Sequence, residues 1–498
     1  MNKAVSVIAG VVVVVGAVAT AGAWYTGTKV EEVIRAGVAE ANVQLQERMA
    51  GDNGSASLEV TSVERHFFSS EVHYKLLLGG EHFSNQGQPL QLDFVDHLEH
   101  GPLPLSRVRQ LNLVPVMVAS HFELLRTPST EKWFTATHDV APLQGQAVVS
   151  YERNAKVDVN FLPLSLDGSN GALRFSGADL HISASGDGQR LDTTGSMDEL
   201  QFTLPTEKGM LNLLFKGLTL SSGGSKGRSG FYLGHTDGKL ASFSGQVQGG
   251  PAVEFKDFSS ASLLQEVEGN LAGEVNYDVA AISVAGKPIG SSHLSGRLNN
   301  FDIAATQALV QFYRAKVLPQ AQAVNAARAA GQDYDLHLSP ADQAQLNANL
   351  TTLLAAKPHV QLDKWSLKTA HGESQISLAL DLANPGSFDQ APADLYRQLV
   401  ADFKAEVLLN KPMVADLVAF QAQVQGLTDP AAVAKQAQGT ADGLAGMAQV
   451  FGLARIEGEN IVSRLHFAQG MVDFNGQKMT PEQFAALMSA KAGQLAPH

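Results

Sequence analysis

The chain has 498 residues, 44% of them apolar, so it can bury more than one hydrophobic core and is not a disordered polypeptide. Its formal net charge is -13 without a cluster of lysines and arginines, which argues against a nucleic-acid partner. It contains no cysteine, which excludes cysteine nucleophiles, cysteine-ligated zinc and disulfides.

The first predicted element is a membrane anchor over residues 1–25. Residues 4–23 carry no charge, and at 1.5 Å per residue a helix of this length spans about 30 Å, the thickness of the hydrocarbon core. Trp24 and Tyr25 follow where an interfacial aromatic belt would lie. Three A-x-A sites between Ala17 and Ala23 leave a cleaved signal peptide as the alternative. The centre of the run is Val11, Val12, Val13, Val14 and Val15.

Residues 26–50 are predicted to form an amphipathic helix. Val30, Ile34, Val38, Ala41 and Leu45 recur at helical spacing on one stripe, and the glutamates lie off it. We expect this stripe to pack on the domain that follows. A coiled-coil dimer is the alternative, although the segment has few heptads.

Residues 51–300 are predicted to form a β-rich domain with a long antiparallel sheet. Apolar residues alternate with polar ones, as in 180–184 and 200–204, and glycine-rich turns separate the segments. This alternation indicates strands with one buried face and one solvated or ligand-facing face.

Residues 301–498 are predicted to be a mixed region of helices and a β-hairpin that packs on the sheet. Strand alternation returns at 360–382, and the Asn475-Gly476 dipeptide is typical of a two-residue hairpin turn. The fold class is therefore α+β, with helices grouped mainly in the C-terminal half. Helices are expected at 304–330, 340–356, 393–425, 430–453 and after Thr480.

None of the chemical motifs in the chain supports an active site. His97 and His100 are three residues apart, which places them on opposite faces of a strand, so they are not expected to share a metal. Ser225 has the G-x-S-x-G spacing of hydrolases, but strands precede and follow it. There is no phosphate-binding loop. We therefore predict a non-catalytic protein without cofactor, metal or nucleotide.

Several stretches resemble the YdgA family of bacterial envelope proteins. They are "AWYTGTKVEE", "HLEHGPLPLSRV", "TPSTEKWF" and "GMVDFNGQKMTPEQF", and the resemblance extends over essentially the whole chain. It implies a single-pass anchor in a Gram-negative inner membrane and a body in the periplasm. The most specific motif residues are His100, Gly101, Pro102, Leu103, Pro104, Asn475 and Gly476. The Gly-Pro-Leu-Pro block is interpreted as an architectural turn.

Two functions fit these features. The first hypothesis is an envelope scaffold that binds other proteins by its edge strands or Ala/Gln-rich helices. The second is a module that binds or transfers a lipid or another hydrophobic ligand, in general build similar to AsmA-like envelope proteins. In both hypotheses the anchor makes the membrane one partner, and the second partner is an envelope protein or a lipid. Exposure of the apolar sheet face discriminates the two, because a carrier needs an open apolar surface.

Overall fold

The structure is a computed structural model that describes residues 30–49, 55–79, 90–168, 171–227, 231–318, 320 and 337–495. It divides into two compact units. The first contains the described residues of Met1–Gly234 and Val310–Ser339, and the second those of His235–Leu309 and Pro340–His498. Within the described ranges, no helix is long and apolar enough to cross a bilayer. The predicted anchor, with Val11–Val15, Trp24 and Tyr25, lies outside them.

The first unit is an antiparallel sheet with one long helix. The helix, α1, runs from Val30 to Met49, and two short helices, α2 (Leu105–Arg109) and α3 (Glu131–Ala136), lie in loops. The strands are β1 (Ser55–Arg65), β2 (Ser69–Gly79), β3 (Leu90–His100), β4 (Val118–Leu124), β5 (Leu143–Val149), β6 (Ala155–Phe161), β7 (Leu164–Gly168), β8 (Gly171–Phe175), β9 (Ala178–Ala184), β10 (Arg190–Thr206) and β11 (Gly209–Lys226).

Neighbouring strands of this sheet are mostly neighbours in sequence. Strands β1 to β6 pair in succession, and β9 and β10 follow β6. The β7–β8 hairpin is inserted, because β8 pairs with Leu200–Thr203 in the second half of β10. β11 pairs with β10 along nearly its whole length. Such local antiparallel pairing is what the period-two alternation and the frequent glycine turns predict.

Helix α1 packs against the core of this sheet, as its apolar stripe predicts. Ile34, Val38 and Leu45 are buried in the same cluster as the core-facing residues of the strands. The Asn42 side chain also extends the strand ladder: its Nδ2 donates to Leu58 O at 2.8 Å, and Leu58 N donates to its Oδ1 at 2.6 Å. The helix is therefore bound to β1 by both apolar burial and hydrogen bonds.

The second unit is a second antiparallel meander. Its strands β13 to β18 pair in succession, and β20 pairs with β18, β19 and β21. The remaining strands of the chain are β12 (Tyr232–Val247), β13 (Val253–Val267), β14 (Asn270–Val284), β15 (Lys287–Asp302), β16 (His359–Lys368), β17 (Glu373–Leu382), β18 (Val400–Asn410), β19 (Arg455–Glu457), β20 (Asn460–Ala468), β21 (Met471–Phe474) and β22 (Gln477–Met479).

Two helices of the C-terminal half begin at residues whose side chains cap the N-terminus, Asp429 and Thr480. Asp429 Oδ1 accepts from Ala431 N at 3.2 Å, and Thr480 and Gln483 form the reciprocal bonds of a capping box. The helices are α4 (Ile303–Phe312), which continues as a π-helix (Tyr313–Val317), α5 (Pro340–Ala355), α6 (Pro392–Leu399), α7 (Lys411–Val424), α8 (Pro430–Val450) and α9 (Pro481–Leu495).

The α+β class and the antiparallel sheet are confirmed, but one predicted helix is wrong. Residues 393–425 do not form a continuous helix, because β18 separates α6 from α7. Phe403, Ala405 and Val407 alternate along β18, which lies between β17 and β20. Pairing on both sides provides a complete set of backbone hydrogen bonds, and this tertiary context overrides the helical propensity of the segment.

Candidate functional site

The second unit carries a continuous apolar face on one side of its sheet. In an antiparallel pair, residues directly opposite each other share a face, so the pairing register identifies it. We call this surface the apolar face. Its three central rows are Leu294–Trp365–Ile376–Val407, Leu362–Leu378–Ala405–Leu465 and Val360–Leu380–Phe403–Phe467.

The apolar face is only partly covered. Trp365 is 51% exposed, Val360 42% and Leu378 38%, although each is surrounded by apolar side chains on its own and adjacent strands. Tyr277, which is paired with Leu294, is 41% exposed. Isolated exposed apolar residues are common on protein surfaces, whereas a contiguous group of this kind marks an interaction or ligand surface.

Helices α8 and α9 cover part of the apolar face. Ala445 of α8 packs with Ile461 and the partly buried Leu409, and the Phe484 ring of α9 lies 5.4 Å from that of Phe474. Ile461 and Phe474 are on β20 and β21, beside the covered end of β18. The exposed side chains are concentrated on β14, β16 and β17, so the face opens away from these helices.

The first unit has a smaller face of the same composition. On β8, β10 and β11, Phe175 is paired with Leu200 and Leu200 with Phe215, while Leu173, Phe202 and Leu213 form the next row. All of these side chains are partly exposed. The two units therefore share a design in which an apolar sheet face is left without a complete cover.

An open cleft of about 570 Å³ is lined mainly by residues of the opposite face of the second sheet, together with Leu378, Ala405 and Leu465. We call it the polar cleft because charged side chains such as Lys404, Glu406 and Arg464 line it. Arg464 lies at its centre and donates to Glu457 at 2.5 and 3.0 Å and to Glu406 at 3.2 Å. The hydrogen bonds to Glu457 and Glu406 raise the pKa of Arg464. The hydrogen bond from Arg464 lowers the pKa of Glu457. His466 Nε2 lies 2.8 Å from Asp402 Oδ2, the carboxylate oxygen that accepts the hydrogen bond. The charges are satisfied mainly by each other, so this face is a solvated surface with a polar depression.

The predicted hairpin residues Asn475 and Gly476 lie at the rim of this cleft. Both have positive φ, 51° and 80°, as a two-residue hairpin turn requires. Asn475 Oδ1 accepts from Arg464 N at 2.8 Å, and its Nδ2 donates to Leu453 O at 3.0 Å. A Cβ on Gly476 would lie 2.6 Å from Arg455 Nη2, so the guanidinium occupies the space of a side chain. The turn thus positions β20, β21 and Arg455.

The other predicted motif lies in the first unit, where β3 ends. The Gly101–Pro102 peptide bond is cis, and Gly101 N donates to Met117 O at 2.8 Å. A Cβ on Gly101 would lie 1.9 Å from Val116 O, so only glycine fits there. Pro104 is buried and Leu103 is exposed. This motif belongs to the first unit, and Asn475 and Gly476 belong to the second.

The two histidines of this segment point to opposite sides of β3. His100 Nε2 lies 3.1 Å from Ser70 Oγ, and burial, with Arg65 as a second cause, lowers the pKa of His100. His97 Nδ1 lies 3.2 Å from Glu71 Oε2. The other carboxylate oxygen, Glu71 Oε1, lies 3.0 Å from His73 Nε2. Among the described residues, no group of three or more histidines and carboxylates has the geometry of a metal site.

A buried carboxylate in the first-unit core was missed by sequence reasoning. Asp96 is 4% exposed and accepts a hydrogen bond from Ser120 Oγ at 2.6 Å. Burial raises its pKa to about 6, against the lowering effects of the Ser120 bond and of His97. The Tyr74 hydroxyl is also buried, without a hydrogen-bond partner in the part of the chain that is described. The sequence contained one signal for this burial: Asp96 lies at every-second-residue spacing with Leu92, Phe94 and Leu98, which places it on their buried side of β3.

Comparison with known proteins gives relatives over the whole chain. The profile of a family described as "Bacterial protein of unknown function (DUF945)" matches residues 1–482. Protein YdgA of Escherichia coli (strain K12) is 26% identical over 501 aligned residues, covering 99% of this chain and 98% of YdgA. The uncharacterized protein YihF of the same strain is 22% identical over 485 residues, covering 95% and 97%. No solved structure shows a significant match.

Proposed function

This chain belongs to the DUF945 family of bacterial proteins of unknown function, so we propose its function from the physical features of the structure. We propose that it binds a lipid or another extended apolar ligand. The proposed site is the apolar face of the second unit. The observation that carries the proposal is the exposure of Trp365, Val360 and Leu378 in adjoining rows of one sheet face. An acyl chain lying across these rows would remove apolar surface from water without requiring any new polar partner.

The proposal includes the predicted membrane anchor and location. The uncharged run at residues 4–23, followed by Trp24 and Tyr25, supports a single-pass anchor in the inner membrane with the body in the periplasm. An anchored protein with an open apolar surface is positioned beside a source of lipid. The role we assign is binding or transfer and is non-catalytic, since the polar cleft on the other face contains charges that are paired with each other.

A scaffold that binds envelope proteins is the second candidate. Near the end of α8, Met447 is 53% exposed and Val450 84%, and residues three apart lie on one face of a helix. This pair offers a small apolar contact for a protein partner. It is much smaller than the apolar face, so we rank the scaffold function below lipid binding.

Photocrosslinking of the full-length protein in living cells separates the two candidates. The photoreactive residue p-benzoylphenylalanine is placed at position 378, on the apolar face, or at position 379, the neighbouring strand residue on the polar cleft. Cells are grown with radioactive phosphate or acetate, irradiated, and the protein is analysed on denaturing gels. We expect a lipid-labelled adduct at position 378 and none at position 379.

The alternatives give different bands. A high-mass protein adduct at position 378 without lipid label would contradict lipid binding and favour the scaffold. As a second variant, Leu378→Asp should abolish lipid labelling from a crosslinker at position 365, whereas Ala379→Asp on the opposite face should leave it unchanged. Equal loss in both variants would indicate general damage to the sheet and would count against a specific apolar site.

A further inference from the structure

Two loops of the first unit meet at one end of its sheet. The β1–β2 turn joins Arg65 to Ser69, and the loop of residues 101–117 joins the end of β3 to the start of β4. His100 N donates to Phe68 O at 2.8 Å, which connects the β1–β2 turn to the last residue of β3, directly before the second loop. Met117 N donates to Val149 O at 2.8 Å, which fixes the second loop to β5. We call the exposed surface of these two loops the apolar tip.

The apolar tip presents large side chains to solvent. Phe67 is 88% exposed and Phe68 73%, and their rings contact edge to face at 4.6 Å between centroids. An exposed aromatic pair at a hairpin tip has no role in the core and is typical of an interaction surface. The loop of residues 101–117 adds Leu105, Leu111, Leu113 and Val114, each more than half exposed.

The charges of the apolar tip are all positive. Residues 65–69 and 100–117 contain Arg65, Arg107 and Arg109 but no aspartate or glutamate, in a chain with a net charge of -13. The nearest flanking carboxylate on β3, that of Glu99, accepts from Ser106 N and Ser106 Oγ at 2.8 and 2.6 Å. Arginines next to exposed phenylalanine and leucine form the combination that binds an anionic lipid surface, because lipid phosphates attract the arginines and the apolar side chains insert.

The direction of α1 brings the start of this helix toward the same end of the sheet. Asn42 is bonded to Leu58, and only residues 50–54 connect α1 to β1, so helix and strand run in opposite directions. Val30 therefore lies toward the Arg65 end of β1, about 18 Å from Asn42 along the helix axis. Only residues 26–29 separate Val30 from Tyr25, the end of the predicted anchor.

We propose that the apolar tip inserts into the headgroup region of the membrane that holds the anchor, which makes a lipid bilayer surface the partner of this end of the first unit. This inference rests on the proposed anchor. Tethering by the anchor raises the effective concentration of the tip at the bilayer, so a weak insertion of two phenylalanines and a few leucines suffices to hold it there. The Gly101–Pro104 motif then shapes a membrane-contacting loop.

The test uses single-tryptophan variants of the full-length protein in vesicles of phosphatidylethanolamine and phosphatidylglycerol that contain dibrominated phosphatidylcholine. All variants carry Trp133→Phe and Trp365→Phe. One retains Trp24 as the anchor reporter, and two carry Trp24→Phe with either Phe68→Trp or Val140→Trp. Val140 is the matched control, because it is 49% exposed but lies between β4 and β5 at the opposite end of the sheet.

The expected result is a blue shift and quenching of the tryptophan at position 68, with neither at position 140. Adding Arg109→Glu should decrease the quenching at position 68 and leave the anchor signal unchanged. Quenching of Trp24 without quenching at position 68 would overturn the tip proposal while the anchor stands, and would point to a protein partner for the tip. Loss of quenching at both positions 24 and 68 would overturn the anchor and the tip together.

Discussion

Replacing the buried Asp96 by asparagine should change how stability depends on pH. Burial raises the pKa of Asp96 from 3.8 to about 6. The folded state therefore favours the protonated carboxyl, and the resulting stability is complete below pH 3.8 and is lost as pH rises through about 6. The two pKa values differ by about 2, which corresponds to about 3 kcal/mol of unfolding free energy. The asparagine of Asp96→Asn does not ionise, so this variant lacks the part of the pH dependence of stability that comes from residue 96.

The quantity to measure is the difference in unfolding free energy between Asp96→Asn and the unsubstituted protein, at about pH 4 and about pH 7. Urea unfolding is followed by Trp133, which packs against the first-unit core, in a Trp24→Phe, Trp365→Phe background. Other carboxylates titrate in the same range, and taking the difference between the two proteins cancels their contribution. We expect the variant to gain about 2 kcal/mol relative to the parent between the two pH values, because the unfolded carboxyl is already partly ionised at about pH 4.

A difference that stays constant with pH would refute the reasoning. It would mean that the Asp96 carboxylate is stabilised in the folded state as well as in water, by Ser120 or by water close to the Tyr74 hydroxyl. A difference of the opposite sign would mean that these donors more than compensate for burial. The absolute stability of Asp96→Asn does not decide the matter, since an amide also has to be accommodated beside Ser120.

The other predictions concern single contacts. Ser120→Ala removes a hydrogen bond that lowers the pKa of Asp96, so this variant should extend the loss of stability to higher pH in the same urea assay. Gly101→Ala places a Cβ 1.9 Å from Val116 O and should destabilise the first unit by about 1–3 kcal/mol, seen as an earlier Trp133 transition. Gly439→Ala in α8 meets no atom within 4 Å and should stabilise the second unit by about 0.5–1 kcal/mol, with Trp365 as the reporter; a destabilised protein would contradict the open environment. His359 Nδ1 donates a hydrogen bond to Asp381 Oδ1, which raises the pKa of His359, so the stability from this pair is complete below pH 6.5 and is lost as pH rises through the raised pKa. His359→Gln should therefore be less stable than the parent protein at about pH 5, and this difference in unfolding free energy should be smaller at about pH 9.

The local elements of the fold could be predicted because their signals are local. The α1 stripe, the capping residues of α8 and α9 and the Asn475-Gly476 turn each depend on residues within a few positions of one another. Their backbone conformations need no distant partner. Recognition of the family was confirmed for the same reason, since the motifs that carry the resemblance are short continuous segments.

The elements that were predicted incorrectly depend on distant segments. β18 has the composition of a helix, and it is a strand because β17 and β20 lie on both sides of it. Asp96 could be placed on the core side of β3 by parity, but its pKa depends on Ser120 and on the strands that exclude water. Such contacts connect residues far apart in sequence, and no local pattern records them.

The sequence by itself determined that the chain is α+β with antiparallel strands, because period-two alternation, glycine turns and helix caps act within a few residues. It also determined that each strand has an apolar side. Only the tertiary structure decided which apolar sides are covered: α1 packs on β1 and shares one buried cluster with the apolar sides of β1 to β6, whereas much of the face that contains Trp365 and Leu378 stays open. The physical reason is that alternation encodes the two sides of a strand, while coverage depends on where distant helices pack.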